Sequence, residues 1–457
     1  QTAAMATHVI AIEDITAPFG VADAPDPAAM PNLMNEGPAP VLHHNQLSRT
    51  ALQSFDDVQT LRGRKYPAGT DHITPIVHHP TNVPLDEASQ LVSLNIRFVF
   101  CPRLNGLEAR PELEPPIGVS IAGYNVEARL GAGTFAAVYQ AVNTTHDRRV
   151  GMKIFHDPAS ISEALAEVRA YTLLAHHHPA GCQHIARMLD CFHYREHLII
   201  ITELLGDTLH AHIAHLNQQG AGRRTAHYNA QRLAGLSAQM LEAIACLNSM
   251  GIIHCDIKSN NICLADDAGT RFKLIDLGAA VFAHDSTNSH MQSLWYRAPE
   301  VIIGAPFDDK IDTWSLGCVL LEVFIGGPLF PYPTEELVLA AQRAVCGGPL
   351  PPSMKQAELF EFYFAPGATH SMHVYEVDPP GEPRGVYVLR AADHSDLEAT
   401  IRAQPIAEGF GDLDGFELFA KRLLAFDATA RPTAAQALML PFVSQAAGAA
   451  MQSHMTD

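Results

Sequence analysis

The chain has 457 residues, 47% hydrophobic and 17% charged, enough apolar material for a sizeable core and too much for global disorder. Thirty Lys+Arg stand against 49 Asp+Glu, a net charge of −19, and only 7 of the basic residues are Lys. That balance excludes a general nucleic-acid binder, because neutralising phosphates needs basic surface. The eight cysteines (101, 182, 191, 246, 255, 263, 318, 346) include no C-x-x-C pair and no zinc-ligand spacing. A disulfide scaffold is therefore not expected. The reduced interior of a cell, cytoplasmic, nuclear or both, is the expected setting. No charged-then-apolar leader opens the sequence. Its most apolar stretch, Thr313 to Phe330, is broken by Glu322, Gly326, Gly327 and Pro328 and falls short of the about 20 clean residues of a membrane span.

Residues 1–115 read as an N-terminal extension. The first about 50 are Pro- and Ala-rich and read as extended or poorly ordered chain; a small β-containing segment follows, in which Leu94, Ile96, Phe98 and Phe100 alternate with Asn95, Arg97 and Val99. From Gly123 strands and helices alternate. In LGAGTFAAVY (130–139), Gly131 and Gly133 lie between two strand-like stretches, where a Gly-rich turn can bring backbone N–H groups over phosphates. Twenty-two residues on, VGMK puts Lys153 in an apolar strand, where a lysine needs an anion. Glu167, in the helix-like SEALAEVRAYTLL, can supply it. Leu233, Leu236, Met240, Ile244 and Leu247 recur at helical spacing and Gly251 stops that helix.

The most informative segment is GIIHCDIKSNNICL (251–264), which crowds Asp256, Lys258 and Asn261 into one turn between apolar stretches. FKLIDLG places Asp276 twenty residues after Asp256, and SLWYRAPE (293–300), DTWSLG (312–317) and Arg431 in ARPTAAQAL complete the series. Residues 372–390 read as a hairpin, HVYEV and VYVLR around DPPGEPRG. The stretch 357–417 holds 12 acidic and 3 basic residues, nearly half of the net charge.

Together these motifs resemble a eukaryotic protein kinase from about Gly123 to Phe442, some 70% of the chain. The resemblance implies an α+β, bilobal fold: a β-rich N-lobe and hinge at 116–206, an α-helical C-lobe at 207–443 and a C-terminal tail at 444–457. It implies ATP with Mg²⁺ or Mn²⁺ as cofactors and Ser/Thr protein substrates, with a catalytically weak scaffold as the alternative. Asp256 would orient the substrate hydroxyl and accept its proton, Lys258 would steady the transferring group, and Lys153, paired with Glu167, would hold the α/β-phosphates. Asn261 and Asp276 would hold the metal. Leu130, Gly131, Gly133, Val138, Thr202, Glu203, Leu205, Asp207 and Cys263 would surround ATP, and Glu300 and Arg431 would form a buried ion pair. Ser293 and Arg297 belong to the activation segment.

WYRAPE and the insert at 350–417 resemble the CMGC group; HCD for HRD, EVR and QS are most similar to its DYRK/HIPK branch, with CLK- and SRPK-like features such as Leu277 in DLG. For that group, basic or Pro-containing substrates and a docking partner at the acidic insert are expected, with neither nucleic acid nor membrane as partner. Ala136 replaces a loop glycine. Gly151, Cys263 and Thr202 point to a roomier adenine pocket. Cys255 replaces the Arg that reads an activation-loop phosphate, and His290 and Leu294 replace a Tyr and an Arg in the activation segment. An activation segment not switched by tyrosine phosphorylation is therefore expected. The His runs at 43–44, 78–79 and 176–178 lack Cys or acidic partners at ligand spacing and read as solvated loops.

Overall fold

The computed structural model describes residues 113–445 except 134, 157–160, 179–181, 195–196, 283–290, 348–349, 365–370, 379–381, 391–396 and 406–408, together with three short strands nearer the N-terminus. Those are β1 (Thr7–His8), β2 (Thr74–Ile76) and β3 (Ile96–Val99). The other parts of the Pro-rich segment, both early His pairs and His290 lie outside the described residues.

The N-terminal lobe is built on β4 (Ser120–Ile121), β5 (Tyr124–Ala132), β6 (Ala136–Asn143), β7 (Arg148–Phe155), β8 (Met188–Tyr194) and β9 (His197–Glu203). With β2 and β3 they form one eight-stranded sheet in the order β2-β3-β8-β9-β7-β6-β5-β4. The alternating segment around Phe98 thus joins the main sheet, β3 running parallel to β8 with Phe98 opposite His193. Strand alternation sends Tyr139, Met152 and Ile201 to one apolar cluster and Phe155, Cys191 and Ile200 to another. Helix α1 (Ile161–His177) covers the second through Ala164 and Val168, one turn apart.

Past the connection at 204–207 the chain is mainly helical: α2 (Leu209–Gln218), α3 (Ala221–His227), α4 (Ala230–Ser249), α5 (Pro299–Ile302), α6 (Lys310–Ile325), α7 (Glu335–Cys346), α8 (Phe360–Tyr363), α9 (Leu397–Arg402), α10 (Leu413–Leu423) and α11 (Ala434–Leu438). Asn229 caps α4 by accepting from the Arg232 N–H, and the five predicted apolar positions of α4 are all buried. Gly251 turns the chain out of it at φ 69°. Helix α6 is the axis of this lobe: every residue from Ile311 to Phe324 is buried, as an all-round apolar helix requires. It contains most of the apolar stretch at 313–330 and is 16 residues long. Among the described residues no helix is long and apolar enough to cross a membrane.

Strands β10 (Ile252–Ile253) with β13 (Val281–Phe282), and β11 (Ile262–Leu264) with β12 (Phe272–Leu274), form two small antiparallel pairs between the lobes. The predicted hairpin is β14 (Ser371–Asp378) against β15 (Glu382–Arg390), with β1 added parallel to β15.

Two outcomes differ from expectation. Cys182 and Cys246, 64 residues apart, are joined in a disulfide between the loop after α1 and helix α4. His178 is not a histidine without cysteine neighbours: its ring and both sulfurs lie within 4.8 Å of one another. Spacing in sequence hid this, because the third member comes from another lobe.

Candidate active site

The site lies where the sheet meets the two small strand pairs. In β7, Lys153 stands between Val138 of β6 and Ile200 of β9. Its Nζ donates to Glu167 Oε2 at 2.7 Å and to Asp276 Oδ1 at 2.7 Å. Helix α1 therefore holds Glu167 at the lysine, as the sequence indicates, and the DLG turn brings a second carboxylate. Burial works against the Lys153 ammonium, but the two carboxylates outweigh it and its pKa lies above the ordinary lysine value. Asp276 is held below the ordinary carboxylate range: burial opposes this, and the Lys153 charge and hydrogen bond prevail. Leu277 is fully buried in the helical-lobe core, so the Leu of DLG packs where an apolar side chain is needed.

The polar residues of the 251–264 segment converge as well. Asp256 Oδ1 accepts from Ser293 Oγ at 2.7 Å. Its Oδ2 accepts from Lys258 Nζ at 2.8 Å and from Asn261 Nδ2 at 3.0 Å. Lys258 also donates to Ser293 Oγ at 3.0 Å, so one hydroxyl touches both the carboxylate and the ammonium. Asn261 Nδ2 bonds the Asp256 carbonyl at 2.9 Å, and the Ile275 N–H donates to the Asn261 carbonyl at 2.9 Å, tying this loop to Asp276.

Backbone geometry explains why the loop holds. Cys255, Asp276 and Gln292 all have positive φ (62°, 64° and 68°), uncommon for residues with side chains. Asp312 of α6 holds the first of them, accepting from the His254 N–H at 2.7 Å and the Cys255 N–H at 3.0 Å. His254 Nδ1 accepts from the Asp256 N–H, which leaves Nε2–H to donate to the Ile275 carbonyl at 3.2 Å. Cys255 itself is fully buried and its thiol is pushed well above its ordinary pKa, so this position offers no cation to a phosphate.

Burial raises Asp312 to about 6, against the His254 and Cys255 backbone N–H bonds that favour its anion. The folded value exceeds the ordinary 3.8, so between these pH values the folded protein keeps a proton the unfolded chain has lost. Stability from this group is full below pH 3.8 and falls as pH rises through about 6. The melting-temperature difference, wild type minus Asp312→Asn, is therefore expected to shrink between pH 4 and pH 7. A constant difference would contradict the assignment.

Gly131 and Gly133 occupy the β5–β6 turn with ordinary φ, and a Cβ at Gly131 would meet nothing within 4 Å. Leu130 and Phe135, on either side of this turn, are both exposed. On the hinge side, a Cβ at Gly151 would sit 2.8 Å from Thr202 Oγ1 on the paired strand. The room freed by glycine is thus taken by its threonine partner on the paired strand. Glu203 accepts from Lys273 Nζ at 2.6 Å and from the Arg187 N–H at 2.8 Å. Leu205 and Asp207 lie in the connection between the lobes, and Cys263 is buried beside it, bridging Thr208.

Below the site, Arg431 donates to both oxygens of Glu300 at 2.6 and 3.1 Å, fully buried. Arg297 gives Nε and Nη2 to the Gln292 carbonyl at 3.2 and 2.9 Å and Nη1 to Glu335. Gln292, Asp312 and Glu335 are absent from the site residues read from sequence. DTWSLG contains Asp312, but nothing in a sequence announces the positive φ of Gln292.

The protein kinase domain family matches residues 124–443. The chain is 34% identical over 227 residues to "Probable serine/threonine-protein kinase dyrk2" of Dictyostelium discoideum, covering 50% of this chain and 24% of that protein. It is 29% identical over 336 residues to "Dual specificity tyrosine-phosphorylation-regulated kinase 3" of Homo sapiens, covering 70% and 54%. A "Probable dual specificity protein kinase YAK1 homolog" of Encephalitozoon cuniculi is 34% identical over 208 residues, covering 46% and 49%. The chain thus spans between about a quarter and just over half of these relatives. On this match and the bilobal α+β fold, the chain belongs to the protein kinase family and is DYRK-like within it.

Proposed function

We propose that the protein transfers the γ-phosphoryl group of ATP to Ser and Thr hydroxyls of protein substrates. The observation that carries the reading is the convergence of Lys153, Glu167 and Asp276 on one side and Asp256, Lys258 and Asn261 on the other. Phosphoryl transfer needs positioning and charge neutralisation more than covalent help from the enzyme. Asp256 accepts the proton of the attacking hydroxyl, in the place where Ser293 Oγ now donates to it. Lys258, next to that hydroxyl, neutralises charge on the transferring group. Lys153, kept protonated, holds the α/β-phosphates under the Gly131–Gly133 turn, while Leu130, Val138, Thr202, Glu203, Leu205, Asp207 and Cys263 line the nucleotide.

Asn261 and Asp276 offer oxygen donors, the set a hard divalent ion such as Mg²⁺ or Mn²⁺ takes, and the Asp276 side chain is 40% exposed. Bound there, the metal neutralises phosphate charge. The fit supports the assignment of both residues. The scaffold alternative has no observation in its favour among the described residues.

Gln292 supports a finer reading. Its carbonyl is committed to Arg297, so it cannot accept the N–H of the substrate residue that follows the acceptor hydroxyl. A buried N–H left unpaired costs about 1–3 kcal/mol, and proline has none to lose. Peptides with Pro after the phosphorylated Ser or Thr are expected to show kcat/KM roughly 10-fold above matched Ala peptides, by that cost. Equal rates for the pair would exclude the preference. To the acidic stretch 357–417 we assign the docking of basic segments of substrates, on its charge.

The direct experiment is labelling of a basic model protein with Mg·ATP. Phosphoserine and phosphothreonine are expected, and their absence under saturating ATP would contradict the reading.

A further inference from the structure

Three ligand-bearing side chains that the candidate active site does not use lie together. His178 ends α1 as its N–H donates to the Leu174 carbonyl at 2.8 Å. Cys182 lies in the loop that follows, and Cys246 on α4 of the other lobe. The imidazole and both sulfurs are within 4.8 Å of one another and half-buried, reachable from solvent. Two other thiols differ: burial pushes Cys263 and Cys346 up to about 12 and keeps them protonated.

The Cys182 and Cys246 Cα atoms are 7.0 Å apart. That lies just past the about 4.4–6.8 Å usual for a disulfide. Two thiolates on one zinc ion, at about 2.3 Å each in a tetrahedron, keep their sulfurs about 3.8 Å apart and suit wider-set Cα atoms. A third, imidazole ligand is of no use to a disulfide and is what a zinc site adds.

We infer that, in the reduced protein, Cys182, Cys246 and His178 form a binding site for Zn²⁺. Two electrons and two protons from a dithiol or phosphine reductant open the disulfide to two thiols; zinc then displaces those two protons as it binds the two thiolates and the neutral imidazole. Three protein ligands leave one tetrahedral position for water. Glu242, a turn before Cys246, is engaged by His184 at 3.3 Å and is not needed. The site joins the end of α1, which carries Glu167, to α4, which runs into the Asp256 loop, so the ion fixes one lobe to the other.

The test uses the full chain reduced with a phosphine, loaded with Zn²⁺ or with Co²⁺ as spectroscopic probe, then passed through gel filtration. One equivalent of zinc is expected to co-elute, Co²⁺ is expected to give a thiolate charge-transfer band, and zinc is expected to raise the melting temperature. Cys182→Ser, in the loop, and His178→Ala are each expected to lose the retained metal while keeping the wild-type circular dichroism and metal-free melting temperature. Metal retained equally by both variants would overturn the site, as would reduced wild-type protein that retains none and carries only a redox crosslink. Phosphate transfer is not the readout, so the result stands apart from the kinase assignment.

Discussion

Lys153→Met is expected to lower phosphoryl transfer by about 10²–10³-fold, the effect of removing one charge-stabilising donor from a preorganised site. It is also expected to destabilise the nucleotide-free protein, for a reason separate from catalysis. Lys153 is the cation between Glu167, 2% exposed, and Asp276, 40% exposed. Without it two carboxylates face each other, and the buried Glu167 keeps an unpaired charge or takes up a proton. Breaking such a pair costs on the order of 3 kcal/mol, less for the screened Asp276 side. The double variant Lys153→Met/Glu167→Gln is therefore expected to regain much of the melting temperature and none of the activity. If stability and activity return together, or if the single variant melts like wild type, the lysine does not have this dual part.

The second large effect concerns stability. Arg431 donates twice to Glu300, bonds the Ala425 and Lys310 carbonyls and lies 5.0 Å from the Trp314 ring. Both charged side chains are at most 3% exposed. Arg431→Ala leaves the Glu300 carboxylate buried with no cation, which costs about 3–5 kcal/mol. At roughly 1.5 °C per kcal/mol for a folded region of this size, the melting temperature is expected to fall by roughly 4–7 °C. Adding Glu300→Gln removes the uncompensated charge and is expected to recover part of that fall. A shift of less than about 2 °C would show that the pair is dispensable.

How far the sequence disclosed all this depended on the kind of interaction. Lys153, Asp256 and Asn261 stood out because a lysine in an apolar strand and polar residues crowded between apolar runs are local anomalies, but their roles, and Asp276, were legible only through the ordered series of motifs and the resemblance it carries. The helix carrying Leu233 to Leu247 was legible from its period. The Glu300–Arg431 pair spans 131 positions and was legible only through resemblance. Resemblance gave no hint of Thr202 filling the room at Gly151, because that contact depends on strand register. Nor did it reveal the Gln292 carbonyl turned toward Arg297, since a left-handed backbone at a glutamine has no signature in composition. The meeting of His178 with Cys182 and Cys246 depends on how α1 and α4 approach in space.

In the proposed reaction Asp256, held by Ser293, Lys258 and Asn261, accepts the proton of the attacking hydroxyl. Single-turnover transfer from Mg·ATP to a Ser peptide, compared between wild type and Asp256→Asn at saturating ATP, tests it most directly. A positioned general base contributes about 10²–10⁴-fold. The variant is expected to bind Mg·ATP and melt as wild type does, and to transfer slower by that factor. Equal transfer by the two proteins would contradict it.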